Sequence, residues 1–393
     1  MKTSTLCVHH PAGSDPHGAV APPIYQTATF RQPTATEFGE YDYTRTANPT
    51  RALLEGQLAA LEGGGFATAY ASGMAALTAL TRLAGQGEEI IAGDDLYGGT
   101  VRLLEQVLPR SGIVVRYADA ADLDSVRREL TPRTRLILVE TPTNPLLRVA
   151  DVRALSALAR EAGALLAVDN SMLSPCLQQP LKLGADVVIH SATKFLGGHS
   201  DVTAGALVTG DAGLHRRLSF QQNAEGSGLS PFESWLLLRG IKTLSLRVER
   251  QCSTAQRVAE FLAGRPEVER VYYPGLEGHP GRDVQRGQAR GAGSVLSFTT
   301  GDAELSRCFV ESVRLFDIAV SFGSVHSSVS LPCHMSHASI PPSARERLAP
   351  PPDLVRVSVG IEDAEDLLAD LEQAFHAAGR PEVKARPVAH VGV

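Results

Sequence analysis

The sequence lacks several features that would assign it to a particular class of protein. Its five cysteines are scattered and form no CxxC pair, which argues against a disulfide framework and favours a reducing compartment. No apolar run approaches the roughly 20 residues of a membrane-spanning helix, and the N-terminal segment lacks the apolar core of a signal peptide. The net charge of −6 provides no basic surface for nucleic acid. We therefore expect a cytoplasmic protein with no nucleic-acid or membrane partner.

The length of 393 residues exceeds that of one ordinary compact domain. Changes in sequence pattern divide the chain into three parts. Residues 1–50 are rich in proline, threonine and tyrosine and show little helical periodicity, so we predict an extended arm. Residues 51–245 and 246–393 are predicted to form a larger and a smaller domain, with a boundary inside a long helical stretch.

Short apolar runs alternate with helical periods in the larger predicted domain. Asn48 followed by Pro49 marks the start of its first helix. The runs that predict strands are FATAYAS, EEIIAG, IVVRYAD, RLILVE, ALLAVDN and DVVIHS. Such alternation predicts an α/β fold with a doubly wound, mostly parallel sheet. The later runs GSVLSFTT and LVRVSVG, with helices between and after them, predict a smaller α+β domain.

Polar residues follow five of these predicted strands, at the end of a sheet where ligands bind in open α/β folds. In chain order they are Ser72-Gly73, Tyr97, Asn144, Asp169 with Asn170, and Ser191 with Thr193 and Lys194. Taken singly, each has an ordinary explanation as a helix cap, a loop aromatic, a turn residue or a solvated charge.

Taken together, these residues match the requirements of one ligand, pyridoxal phosphate. A helix N-terminus with nearby hydroxyls suits a phosphate, and a tyrosine ring can stack on a flat heteroaromatic ring. A carboxylate and a lysine are the usual partners of the pyridinium nitrogen and the aldehyde of this coenzyme. The 25 residues between Asp169 and Lys194 fit two adjacent strand ends joined by a short helix and a turn.

The ordered motifs resemble those of the Cys/Met-metabolism family of fold-type I pyridoxal phosphate enzymes, which includes cystathionine γ-synthases, cystathionine γ-lyases and methionine γ-lyases. The motifs extend over nearly the whole chain and include VAPPIYQTATF, YDYTRTANPTR, ASGMAA, LYGGT, ETPTNPLLRV, HSATKFLGGHSDV and VRVSVGIEDAEDL. The resemblance implies a fold-type I, aminotransferase-like architecture. It also implies a homotetramer built from dimers that share active sites, with the N-terminal arm reaching a neighbouring subunit.

The resemblance further implies a role for each matching residue. Lys194 would form the Schiff base with the coenzyme and later move protons, and Tyr97 would stack on the ring and assist the leaving group. The other implied coenzyme ligands are Asp169 at the ring nitrogen, Gly73, Met74, Ser191 and Thr193 at the phosphate, and Tyr43 and Arg45 from the neighbouring subunit. The implied substrate ligands are Arg356 for the α-carboxylate, Ser321 and Asn144 beside it, and His326 near the distal end.

Residues 319–337, AVSFGSVHSSVSLPCHMSH, depart from the family pattern, which typically reads SLGG, one variable residue and then ES. Phe322 replaces the leucine, Ser324 the second glycine and His326 the glutamate. Losing that glutamate would remove an anionic partner for a distal ammonium, so a neutral or anionic distal group is favoured. The spacing in CHMSH is too loose for a structural metal site, and we expect no metal.

The leading hypothesis is a pyridoxal phosphate enzyme that performs γ-elimination or γ-replacement on an L-amino acid of the cystathionine, methionine or O-acyl-homoserine type. One alternative is a γ-lyase of specialised metabolism that acts on a non-sulfur substrate, for example a halogenated amino acid. A β-lyase is a further alternative. A non-catalytic protein of the same fold would be favoured if Lys194, Asp169 or Arg356 were missing, but all three are present.

Overall fold

A computed structural model describes residues 1–9, 15, 17–338, 340 and 342–379 of the chain. The helices are α1 Thr3–Val8, α2 Pro49–Glu62, α3 Gly73–Thr81, α4 Gly98–Arg102, α5 Leu123–Glu129, α6 Val152–Glu161, α7 Ser174–Leu177, α8 Ala212–Glu225, α9 Pro231–Ile241, α10 Leu244–Ala263, α11 Arg282–Gln288, α12 Ala303–Ser312, α13 Pro342–Leu348 and α14 Ala364–Ala378. The strands are β1 Phe66–Tyr70, β2 Glu89–Gly93, β3 Val114–Ala118, β4 Thr134–Glu140, β5 Leu165–Asp169, β6 Val187–Ser191, β7 Gly205–Thr209, β8 Arg270–Tyr272, β9 Val295–Thr299, β10 Asp317–Ile318, β11 Ser328–Ser330 and β12 Val355–Ser358.

Seven strands form the larger sheet, in the order β1-β7-β6-β5-β4-β2-β3. Strands β2 to β6 pair in parallel, whereas β7 pairs antiparallel with both β1 and β6. Apolar side chains of α2 and α6 cover one face, and those of α3 and α4 cover the other. Because both faces are buried, the strands appear in the sequence as nearly continuous apolar runs. The predicted doubly wound, mostly parallel sheet is confirmed.

Local sequence explains where helices α2 and α3 begin. The Asn48 side chain accepts a hydrogen bond from the Thr50 N–H, and Pro49 occupies the first turn of α2, as predicted. Ser72 caps α3 by accepting a hydrogen bond from the Ala75 N–H at 3.0 Å. Since Ser72 lies two residues beyond the end of β1, this cap places the N-terminus of α3 at the carboxyl end of the sheet.

The smaller sheet has five strands in the order β10-β11-β12-β9-β8. It packs against α10, α12 and α14 around an aromatic cluster that includes Phe298, Phe309 and Phe375. The runs predicted as strands in this part of the chain correspond to β9 and β12. The long helical stretch is interrupted at Lys242-Thr243, between α9 and α10. The predicted domain boundary at residue 246 therefore falls near the start of α10.

One helix and one strand were not predicted. The segment predicted to be extended contains the helix α1, whose Cys7 side chain is fully buried. Strand β7, read here as GALVT, was not predicted because glycine and alanine give a short run little strand character. No helix in the described part of the chain is both long and apolar enough to cross a membrane.

Candidate active site

Ten of the thirteen residues predicted for the site line one cavity of about 440 Å³. The cavity lies at the carboxyl ends of β1, β2, β4, β5 and β6, and the smaller sheet closes its side through Ser321 and Arg356. The ten residues are Gly73, Met74, Tyr97, Asn144, Asp169, Ser191, Thr193, Lys194, Ser321 and Arg356. The fold thus brings together side chains that are up to 283 residues apart in the sequence, from 73 to 356.

One end of the cavity is suited to an anion. The free N–H groups at the start of α3 meet the hydroxyls of Ser191 and Thr193. A Cβ atom on Gly73 would lie 2.9 Å from Ser191 Cβ and 3.0 Å from its Oγ. A side chain at position 73 would therefore occupy the space between the helix N-terminus and the end of β6, which makes this glycine part of the binding geometry.

Asp169 is held at the end of β5 by the neighbouring serine. Its Oδ1 accepts a hydrogen bond from the Ser171 N–H at 2.8 Å, and Ser171 Oγ accepts one from the Ser191 N–H at 2.6 Å. Burial raises the pKa of Asp169, while the Ser171 hydrogen bonds and the charges of His190 and Lys194 oppose that increase. Ser171 therefore links the carboxylate to the phosphate-binding end of the cavity.

Lys194 is not a solvated loop charge. Its Nζ donates a hydrogen bond to Ser321 Oγ at 2.5 Å and lies 5.0 Å from the centre of the Phe322 ring. Burial and the charge of Arg356 together lower the pKa of Lys194 to about 8, while Asp169 acts in the opposite direction. A buried amine with a depressed pKa can act as a nucleophile and as a base near neutral pH.

Arg356 is a buried cation with N–H groups to spare. Its Nη1 donates to Asn144 Oδ1 at 2.8 Å and its Nη2 donates to the Ser321 carbonyl at 2.7 Å. The side chain is 2% exposed, and its Nε has no hydrogen-bond partner in the described structure. Burial lowers the pKa of Arg356 to about 10. A buried guanidinium that lines the cavity and has unpaired N–H groups is suited to an incoming carboxylate.

Sequence reasoning missed two residues that shape the site around Tyr97. Glu140 lines the cavity, and its Oε2 accepts a hydrogen bond from the Tyr97 N–H at 3.4 Å. Burial raises the pKa of Glu140 well above its ordinary value, and the nearby Asp169 and Asp95 add to the effect. The His337 ring lies edge-on to Tyr97, with 6.5 Å between ring centres. Glu140 could have been found, because it ends a predicted strand as Asp169 does.

Three predicted residues do not line this cavity. Tyr43 and Arg45 are exposed, and Arg45 Nη1 donates to the Asn223 carbonyl at 2.9 Å. His326 is also exposed and lines an adjoining cavity of about 730 Å³. The two cavities share Thr193, Thr203, Val320, Ser321 and Phe322.

The donor set in the 440 Å³ cavity fits pyridoxal phosphate. It combines an anion-binding helix N-terminus, a buried carboxylate, an aromatic ring and a lysine of depressed pKa. No group of three or more potential metal ligands occurs in the described part of the chain.

A family model described as Cys/Met metabolism PLP-dependent enzyme matches residues 4–376. The chain belongs to this family. It is 54% identical to chloroplastic cystathionine β-lyase from Arabidopsis thaliana over 372 residues, which cover 95% of this chain and 80% of the relative. It is 47% identical to cystathionine γ-lyase from Bacillus subtilis (strain 168), covering 95% of this chain and 99% of the relative.

The fold also has relatives among solved structures. Cystathionine γ-synthase from Xanthomonas oryzae pv. oryzae in complex with aminoacrylate and cysteine superimposes with a TM-score of 0.93 at 40% identity, covering 96% of this chain and 98% of that chain. The predicted fold-type I architecture and the predicted coenzyme are confirmed. The protein is a pyridoxal phosphate enzyme, and elimination or replacement at a γ-carbon is confirmed at the level of the family. The β-lyase alternative fits the same relatives.

Proposed function

We propose that this protein is a lyase that cleaves a carbon–sulfur bond of a thioether L-amino acid of the cystathionine type. The observation that carries the proposal is the position of Lys194. Its Nζ donates a hydrogen bond to Ser321 Oγ, and Asp169 and Arg356 line the same cavity. The amine, the carboxylate and the guanidinium are thereby assembled around one amino-acid-sized space.

The cavity residues divide into coenzyme ligands and substrate ligands. The N-terminus of α3 at Gly73 and Met74, with the hydroxyls of Ser191 and Thr193, would hold the phosphate. Asp169 would pair with the ring nitrogen, Tyr97 would stack on the ring and Lys194 would bond to the aldehyde. When bound, pyridoxal phosphate supplies an electron sink that makes the Cα proton of an attached amino acid acidic.

Arg356 is the proposed ligand of the substrate α-carboxylate. Its two Nη atoms already donate hydrogen bonds to Asn144 and Ser321, so the guanidinium plane is fixed before a substrate arrives. The N–H groups of the guanidinium that remain unpaired can then donate to a carboxylate oxygen without further ordering of the side chain. Asn144 and Ser321 therefore contribute by holding Arg356 in place.

Lys194 and Tyr97 are the proposed proton-transfer groups. A free Lys194 Nζ could remove a proton from the substrate carbon, because its depressed pKa leaves part of the amine unprotonated near neutral pH. A departing thiolate requires a proton, and Tyr97, which carries a hydroxyl group, lines the same cavity. The Glu140 contact to the Tyr97 N–H fixes the start of α4 and thereby the base of this ring.

The proposal has two forms, which differ in the carbon–sulfur bond of cystathionine that is cleaved. Cleavage on the γ side of cystathionine yields cysteine, 2-oxobutyrate and ammonia, whereas cleavage on the β side yields homocysteine, pyruvate and ammonia. The β side is favoured by one observation, which is that the relatives from Arabidopsis thaliana and Mimosa pudica at 54% identity are cystathionine β-lyases. The enzyme should be incubated with cystathionine, methionine, an O-acyl-homoserine and a γ-halo amino acid, and the 2-oxo acid should be identified. A 2-oxo acid formed only from the halo compound would contradict the sulfur assignment.

The shared active site and the cellular location are proposals that accompany this function. The exposed Tyr43 and Arg45 are available to a neighbouring subunit, which supports a dimer of shared sites within the expected homotetramer. All five cysteines are free thiols, which supports a reducing compartment such as the cytoplasm.

A further inference from the structure

A buried acid–base pair lies behind the cavity, on the opposite face of the larger sheet. Glu62, the last residue of α2, and His190 in β6 are each 1% exposed, and Glu62 Oε1 lies 2.6 Å from His190 Nε2. The same oxygen accepts a hydrogen bond from Asn170 Nδ2 at 2.8 Å. Glu62 Oε2 has no partner in the described structure. Because removing such groups from water is costly, a buried pair of this kind contributes little to stability by itself.

Both partners of Glu62 are sequence neighbours of proposed coenzyme ligands. His190 directly precedes Ser191, and Asn170 directly follows Asp169. Successive side chains of a strand point to opposite faces, so the pair and the cavity are separated only by the backbone of the sheet. The Asn170 N–H also donates to the Ile189 carbonyl at 2.9 Å. Glu62 therefore joins the ends of β5 and β6 at the level of the coenzyme site.

The charges around Asp169 indicate what this pair contributes. Burial and the nearby Glu140 raise the pKa of Asp169, whereas the nearby His190 and Lys194 lower it. Lys194 is also the residue proposed to bond to the coenzyme aldehyde. His190 therefore remains near Asp169 whether or not the coenzyme is bound, and Glu62 Oε1, which lies 2.6 Å from His190 Nε2, holds the imidazole in place.

We propose that Glu62 and His190 form a positioning pair that keeps Asp169 anionic and, through it, keeps the ring nitrogen of pyridoxal phosphate protonated. The inference rests on the proposed contact between Asp169 and that nitrogen. It assigns a function to two residues that touch neither coenzyme nor substrate.

The test compares Glu62→Gln, His190→Asn and the double variant in the full-length protein. The glutamine Oε1 can still accept hydrogen bonds from Asn170 and from a neutral His190, so the first variant removes charge with little change of shape. Glu89→Gln is the matched control, because Glu89 is also fully buried and ion-paired but lies at the amino end of β2, away from the cavity. Two quantities are measured without substrate, the Kd for pyridoxal phosphate and the ¹⁵N NMR shift of a coenzyme labelled at the ring nitrogen.

Each single variant is expected to weaken coenzyme binding about tenfold, which corresponds to one unit of pKa, and to move the ¹⁵N shift towards the unprotonated form. The double variant should resemble the singles, because the two residues act as one unit. The control should lower Tm and leave both readouts unchanged. An unchanged ¹⁵N shift in the variants would overturn the inference, even if Kd rose, since a structural role alone predicts that result. Failure of the wild-type protein to bind the coenzyme would instead contradict the proposed function.

Discussion

The Nζ of Lys194 and the Oγ of Ser321 lie 2.5 Å apart and connect the two sheets of the molecule. Lys194 follows β6 of the larger sheet, and Ser321 lies between β10 and β11 of the smaller one. Ser321 has a φ of 85°, a conformation that is uncommon for residues other than glycine. This backbone geometry directs the Ser321 carbonyl to Arg356 and its hydroxyl to Lys194. The amine and the guanidinium are therefore oriented by one residue.

The depressed pKa of Lys194 predicts a pH dependence of stability for the coenzyme-free protein. Its pKa is lowered from 10.5 to about 8 by burial and by the charge of Arg356. Between these values the unfolded chain binds a proton that the folded chain has lost, so stability rises with pH across this window. Relative to Lys194→Met, the wild-type protein should gain about 3 kcal/mol from pH 8 to pH 10.5. Urea unfolding of both proteins at the two pH values measures the gain, and a constant difference would contradict the proposed burial of the amine.

Replacing Arg356 by lysine keeps the charge but removes the planar donor set. The contacts to Asn144 and Ser321 cannot both be kept while a donor is also offered to the substrate carboxylate. We expect KM to rise by roughly 10²-fold with a smaller change in kcat, as for a lost charge-assisted pair. Steady-state kinetics measure the changes in KM and kcat separately. Arg257→Lys, on the surface of α10, is the control and should leave both constants unchanged.

Much of the site could be predicted because the larger sheet is mostly parallel and buried on both faces. Each strand then appears as a short apolar run, and the first polar residues after it mark the ligand-binding edge. Asp169, Ser191 and Lys194 were identified in this way, and all three line the cavity. Glu140 ends β4 as Asp169 ends β5, and it was missed because only the residues after the run RLILVE were considered.

The smaller sheet was less predictable because its contribution depends on backbone turns between very short strands. The segment from Ser321 to Gly323 contains two residues of positive φ, which together turn the chain so that Phe322 packs against Phe195. Nothing in the composition of this loop shows in advance that His326 leaves the 440 Å³ cavity for the adjoining one. Helix α1 was missed for a related reason, since six residues are too few for a periodic pattern.

The shared active site can be tested by mixing two inactive variants. If Arg45 serves a neighbouring subunit, then Arg45→Ala and Lys194→Ala should each lose activity but complement each other. In a mixed dimer, one of the two sites combines the intact lysine with the intact arm. Random exchange makes about half of the dimers mixed, so about a quarter of the wild-type activity should return. Subunits are exchanged by mild denaturation and refolding, and turnover is then measured. Mixing Arg45→Ala with the variant that carries both substitutions should restore nothing, and equal recovery in both mixtures would exclude a shared site.

The adjoining cavity bears on the choice of substrate. His326 replaces the glutamate that is typical of the family, which suggested that a distal ammonium would have no anionic partner. However, Asp201 and Asp317 line the same adjoining cavity as His326. Two carboxylates next to the active site can attract the distal amino group of a cystathionine-type substrate. Asp201→Asn and Asp317→Asn together should raise KM for cystathionine roughly tenfold, as expected for the loss of partly exposed charge contacts.

The same double variant should leave KM nearly unchanged for a substrate that has no distal amino group, such as methionine or a γ-halo amino acid. Restoring the family residue through His326→Glu in the double variant should recover affinity for cystathionine, because a carboxylate returns to the same cavity. Competition kinetics with both substrates in one reaction measure the ratio of kcat/KM directly. An equal loss for both substrates would show that the carboxylates act on the fold of the loop and not on the distal group, and would remove this support for a cystathionine-type substrate.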